Sequence, residues 1–193
     1  MTEANSRMRP TLETARLRLR PYSEADIAEL VPLVGTREVA ATTLRIPHPY
    51  NEQHARDFFV LAEEVGRIWL AITLRSDGRQ IGGAGLYLDE PHQHAELGYW
   101  LGVPYWGKGY ATEAAREMLR YGFENLNLHR IHASHFKHNP ASGTILKKLG
   151  MRYEGCQREH LRKWDQFIDS ELYGILRHEW LTSSKLHRQE DHE

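Results

Sequence analysis

The residues of this chain best suited to chemistry gather between Tyr99 and Thr112, in the run Tyr-Trp-Leu-Gly-Val-Pro-Tyr-Trp-Gly-Lys-Gly-Tyr-Ala-Thr. Gly107 and Gly109 let the backbone turn tightly and approach a ligand closely. From Ala111 the residues Ala114, Ala115, Met118 and Leu119 recur at helical spacing. A helix that starts here points four free N–H groups, and the positive end of its dipole, out of the turn. Such a place suits a phosphate or pyrophosphate. A plain strand-to-helix turn would use the same glycines, so the glycine pattern alone leaves both readings open. Nucleotide fingerprints fit poorly. Gly107-Lys108-Gly109-Tyr110-Ala111-Thr112 lacks the third glycine of a dinucleotide fold, and Gly109, not Ser or Thr, follows Lys108.

Other reactive side chains read as structural. His129, His132, His135 and His138 recur every third residue. On a helix they would form a stripe able to hold metal. On a strand, His129 and His135 face away from His132 and His138, and the segment reads as a strand. No metal site is therefore expected. His92 and His94 read as surface or substrate-rim residues. Cys156, the single cysteine, has no evident paired base and reads as a small core residue. One cysteine excludes an internal disulfide and a thiolate metal cluster within the chain. Tyr99, Trp100 and Tyr105 fit core packing or an acceptor-pocket lining equally well.

The elements around these residues follow from pattern. Leu17 and Leu19 alternate with arginines, as on a half-exposed strand. Ser23 can cap a helix bearing Ile27, Leu30 and Val31, and Asn51 a second bearing Ala55, Phe58, Phe59, Ala62 and Val65, ended by Gly66. Ile68 to Leu74 and Gln80 to Leu88 form a hairpin across Ser76-Asp77-Gly78-Arg79. Then come a strand Ala95 to Leu101, stopped at Pro104, and a helix to about Asn125. A strand spans Arg130 to Phe136. Asn139 and Pro140 open a helix that Gly150 closes. Arg152 to Leu161 and Phe167 to Leu176 complete the order: strand, two helices, three strands, helix, strand, helix, two strands. This is a mixed α/β sheet in one domain. Residues 1–11 are expected to be flexible, 12–181 to form the domain, and 182–193 to be a polar tail.

Composition narrows the partners. The chain has 193 residues, with 25 Lys plus Arg against 26 Asp plus Glu. That suits one domain with a sizeable core. The balanced charge gives no footprint for nucleic acid. No apolar run is long enough for a membrane helix, and the first residues lack a signal-peptide core. The expectation is a cytoplasmic protein with neither nucleic acid nor membrane as partner.

Three pieces of sequence together carry a resemblance. They are Trp106-Gly107-Lys108-Gly109-Tyr110-Ala111; then His129-Arg130-Ile131, His138-Asn139-Pro140-Ala141-Ser142 and Leu149-Gly150; then Glu154-Gly155, Glu159-His160-Leu161 and Asp169. From about Leu12 to Trp180 the chain resembles the GNAT superfamily of acetyl-CoA-dependent N-acetyltransferases. It is most similar to the branch containing the ribosomal-protein N-terminal acetyltransferases. The resemblance implies a single domain with a mixed, mostly antiparallel central sheet and helices on both faces. It implies acetyl-CoA as cosubstrate. Backbone at Leu101 and Val103 would pair with the pantetheine arm, and N–H groups of Gly107, Lys108, Gly109, Tyr110, Ala111 and Thr112 would take the pyrophosphate. Asn139 and Ser142 would lie near the thioester. Trp106 stands where the family's loop has Gln or Arg, but the phosphates are bound by backbone. A homodimer follows only at the level of fold.

The transfer needs a neutral amine and a stabilised leaving thiolate. An α-amine has a reference pKa near about 8, whereas a lysine amine at about 10.4 starts roughly 3 units too high, about 4 kcal/mol. An α-amine therefore needs little more than a carboxylate acting through water. The resemblance makes Glu96 and Glu159 the candidate bases and Ser142 the hydroxyl beside the thiolate. Many relatives carry a tyrosine acid four residues after Ser142; this chain has Leu146. The leading expectation is direct acetyl transfer from acetyl-CoA to a primary amine, either a protein N-terminus or a small molecule. The loss of that tyrosine also permits a non-catalytic acyl-CoA-binding module.

Overall fold

A computed structural model describes residues 9–190, with side chains for residues 9–183. The strands are β1 (Leu12–Glu13), β2 (Leu17–Arg20), β3 (Arg67–Leu74), β4 (Gln80–Asp89), β5 (His94–Leu101), β6 (Arg130–Phe136), β7 (Arg152–Lys163) and β8 (Gln166–Leu176). The helices are α1 (Ile27–Val34), α2 (Arg37–Ala41), α3 (Glu52–Ala62), α4 (Tyr110–Arg120), α5 (Pro140–Lys148) and α6 (Arg177–Glu190). All the strands join one sheet in the order β1-β2-β3-β4-β5-β6-β8-β7. Every neighbouring pair is antiparallel except β5 and β6. The mixed, mostly antiparallel sheet is thus as expected. No helix among the described residues is long and apolar enough to cross a membrane.

Strand alternation builds a core on each side of the sheet. On β5, Leu97 and Leu101 join a cluster with Ala114, Ala115 and Met118 of α4 and Leu146 of α5. Trp100, one residue out of phase, joins Ile27 and Leu30 of α1 and Ala55 of α3 on the other face. β5 is therefore covered on both faces, which explains its run of apolar residues.

The parallel pairing of β5 with β6 is short. It covers His94 with Arg130, Ala95 with Ile131 and Glu96 with His132, and stops. β5 stays on β4 as far as Leu101, and β6 stays on β8 as far as Phe136. The two strands therefore part after Glu96 and leave an open wedge in the middle of the sheet.

Two local expectations need correction. Cys156 is exposed, not a core residue. It lies on β7, which among the described residues has a neighbour on one edge only, and strand order is not written in local pattern. Val65 does not extend the face of α3, which ends at Ala62; it is 85% exposed in the turn that Gly66 closes at φ 82°. At the end of the described chain, α6 runs from Arg177 to Glu190. Its anchor is Trp180, buried and stacked on Phe123 with ring centroids 5.9 Å apart. The segments 1–8 and 191–193, expected to be flexible, lie outside the described residues.

Candidate active site

The glycine loop sits at the open end of the wedge. Gly107 and Gly109 have φ of 72° and 81°, the left-handed region where a side chain is strained. Gly109 is the residue before α4, so the backbone reverses there and presents the first N–H groups of the helix. The Trp106 indole N–H donates to the Leu101 carbonyl at 2.7 Å, tying the loop back to the end of β5. That contact gives a physical reason for tryptophan at this place.

A second brace holds the loop from the far edge of the sheet. The Glu113 carboxylate, in the first turn of α4, accepts from the Thr14 hydroxyl at 2.6 Å, the Arg16 backbone N–H at 2.8 Å and the Arg16 side chain at 2.7 Å. Arg16 also donates to the Lys108 carbonyl at 3.0 Å and lies over the Tyr110 ring at 4.6 Å. Burial by itself would raise the Glu113 pKa. The bonds from Thr14 and Arg16 overcome it and hold the carboxyl below the usual range. An open cleft of about 510 Å³ borders this brace, lined by Thr14, Gly109, Thr112, Arg116 and Lys148 among others.

Among the described residues no strand pairs with β5 on its β6 side beyond Glu96. Backbone N–H and C=O groups in such a gap need partners, and an extended amide chain can supply them as an added strand does. The wedge could therefore hold an extended amide chain, and the helix start an anion. Val103 lies past the strand, in the short helical turn Val103–Tyr105.

α5 forms one wall. Asn139 caps it, its side-chain oxygen accepting from the Ser142 N–H at 3.4 Å. The Ser142 hydroxyl lies 2.8 Å from the Tyr99 hydroxyl of β5, so two hydroxyls meet beside the wedge. Burial pushes the Tyr99 pKa up to about 12, opposed by the bond with Ser142. Tyr99 therefore stays protonated near neutral pH. Leu146, one turn further on, is fully buried in the core.

On the opposite face, Glu96 occupies the last paired position before the wedge. Its carboxylate lies 3.8 Å from the Arg45 guanidinium. His132 pairs with Glu96 in register, and burial lowers its pKa against the pull of the Glu96 charge. His94 stacks edge-on to His132, with centroids 5.4 Å apart. Among the described residues no group of three or more His, Cys, Asp or Glu could hold a metal ion.

Residues 16–152 match the acetyltransferase (GNAT) domain. The chain belongs to the GNAT family of N-acetyltransferases. It is 31% identical over 175 residues to the uncharacterized N-acetyltransferase p20 of Bacillus licheniformis, covering 88% of this chain and 98% of that one. It is 34% identical over 84 residues to the [ribosomal protein uS5]-alanine N-acetyltransferase of Escherichia coli, 44% of this chain and 43% of that one. A solved GNAT-family acetyltransferase from Bacillus anthracis superposes with a TM-score of 0.79 at 24% identity, covering 88% of this chain and 99% of that one, a likeness of fold. Acetyl-CoA is the cosubstrate of GNAT-fold acetyltransferases.

In this acetyltransferase the expected site residues fall into two groups. Leu101 ends β5 and Gly107 to Thr112 follow it into α4, while Asn139 and Ser142 open α5, which Ser142 joins to β5 through Tyr99. Glu159 stands apart. It lies at φ 49° in the irregular stretch of β7 between Gln157 and Leu161. Its N–H donates to Asp169 at 2.9 Å, and that bond, with Lys137, holds the Asp169 carboxyl below its usual range. Among the described residues no hydrogen bond or ion pair joins the Glu159 side chain to Glu96 or Ser142. Sequence reasoning missed Arg16, Glu113 and Arg45 altogether, and it left Tyr99 undecided. No local signal marks them, because their partners are distant in the chain.

Proposed function

We propose that this enzyme moves the acetyl group of acetyl-CoA to a primary amine, a protein N-terminal α-amine, by direct transfer in a ternary complex. The observation that carries the reading is the parting of β5 from β6 after Glu96, with the glycine turn and helix start following β5 and the Ser142 hydroxyl against Tyr99 of the same strand. The α-amine acceptor is supported by the likeness to the uS5-alanine enzyme and by the smaller pKa correction an α-amine requires. When bound, acetyl-CoA supplies the activated acetyl thioester.

The residues of the chain do the rest. Backbone at Leu101 and Val103 and the N–H groups from Gly107 to Thr112 bind and orient. Lys108 adds positive charge at the loop. Asn139 fixes the first turn of α5, and Tyr99 fixes the Ser142 hydroxyl, which stabilises charge developing on the departing sulfur. Glu96 takes the proton of the amine through a water molecule.

The test is turnover of N-terminal peptides followed by thiol release, with acetyl-CoA affinity from calorimetry. Ser142→Ala and Glu96→Gln are expected to lower kcat by about a hundredfold with affinity for acetyl-CoA nearly intact. Full activity in both variants would refute the assigned roles. Leu146 in place of a tyrosine keeps one other reading in play, a module that binds acyl-CoA without transferring it. Tight acetyl-CoA binding with no thiol release across a wide amine panel would favour that module.

A further inference from the structure

Between α2 and α3 the chain crosses residues 42–50 without regular structure, and this crossing is pinned from the far side of the sheet. The ammonium of Lys163, the last residue of β7, donates to the carbonyls of Leu44 at 3.1 Å and Ile46 at 2.7 Å. Nearby, the His138 ring lies 3.2 Å from the Ala41 carbonyl. Lys163 is 8% exposed and has no carboxylate partner among the described residues. The two carbonyls it holds flank a single residue, Arg45.

Arg45 is thereby presented to the acceptor side. Its guanidinium lies 4.5 Å over the Tyr87 ring and 3.8 Å from the Glu96 carboxylate. Its side chain is 61% exposed and, among the described residues, makes no hydrogen bond. The neighbouring charges are already committed. Arg130 is bonded to Glu154 and Arg67 to Glu64, and His94 faces Asp89 at 3.6 Å. Beside Glu96, the Arg45 guanidinium is the permanent charge whose donors make no hydrogen bond among the described residues.

We propose that Arg45 selects the acceptor. The guanidinium fork takes a carboxylate of the acceptor while Glu96 receives its amine, so the enzyme prefers amines with a carboxylate a few atoms away and rejects polycationic amines. The inference rests on Glu96 as the group that faces the amine. A planar guanidinium matches a carboxylate with two parallel hydrogen bonds. A second positive charge on the acceptor meets Arg45 as a like charge, which acts as a rejecting element. An acidic peptide N-terminus and a free acidic amino acid share this chemistry. Lys163 is a positioning residue in the scheme, because it fixes the backbone on both sides of Arg45.

The experiment compares kcat/KM for N-terminal peptides carrying Asp or Lys in the residues after the amine, with free glutamate and spermidine as further acceptors. The wild-type protein should favour acidic over basic peptides by about tenfold. Arg45→Glu should reverse the order, and Arg45→Ala and Lys163→Met should flatten it, all with acetyl-CoA affinity unchanged. Turnover of glutamate but not of acidic peptides would assign the preference to a small acceptor. An acidic-to-basic ratio that Arg45→Glu does not move, or a wild-type preference for spermidine, would overturn the inference. Calorimetric binding of the same peptides to the CoA-loaded protein reads the same ratio without turnover. Full activity of Glu96→Gln would therefore refute the catalytic assignment while the Arg45 ratio is still measured.

Discussion

Removing the Glu113 carboxylate as Glu113→Ala should loosen the glycine loop and lower stability together. The Thr14 bond is partly buried and charge-assisted, about 1.5 kcal/mol. The two Arg16 bonds lie at an exposed residue and contribute about 0.5 kcal/mol each. The loss of about 2.5 kcal/mol corresponds to a fall of roughly 5–10 °C in Tm for a chain of this size. Arg16 would then release both Glu113 and, in part, Lys108, so acetyl-CoA affinity should drop as well. The pH dependence has a definite sign. The folded pKa of Glu113 lies below its unfolded value near about 4.3. Its contribution is full above the unfolded value and is lost as pH falls through the folded one. The gap between wild type and variant in urea denaturation should thus be full at pH 7 and narrow below about pH 4. A variant with unchanged Tm and unchanged acetyl-CoA affinity would refute the brace.

Two more outcomes are expected. Tyr99→Phe removes the hydroxyl 2.8 Å from Ser142; kcat should fall about tenfold and stability by about 1 kcal/mol, the value of one partly buried hydrogen bond, a drop of roughly 2–4 °C in Tm, while acetyl-CoA affinity holds in calorimetric assays. Gly109→Ala places a Cβ at φ 81°, 3.3 Å from the Arg16 guanidinium. It should cost about 1–2 kcal/mol in urea unfolding and weaken acetyl-CoA binding without a change in kcat at saturation.

Parts of the site were legible because they are local. Gly107 to Thr112 is one contiguous turn, and its glycines announce positive φ and a helix start. Asn139 and Pro140 announce a helix cap, which the structure has. The β3–β4 hairpin follows from Ser76-Asp77-Gly78-Arg79 between two apolar runs. The failures were also consistent. Cys156 was misplaced because composition cannot say which strand lies at an edge, and Val65 because helical spacing continued past the turn at Gly66.

The sequence by itself determined the sheet class, the glycine turn before a helix and, through three short motifs, the family, because those depend on neighbours within a few residues of one another. Tertiary structure decided what stands around the reacting atoms. Glu113 meets Arg16 across 97 residues, Tyr99 meets Ser142 across 43, and Lys163 reaches Leu44 across 119. Side chains are oriented by distance, burial and charge in space. Those quantities exist only once strand order brings remote segments together.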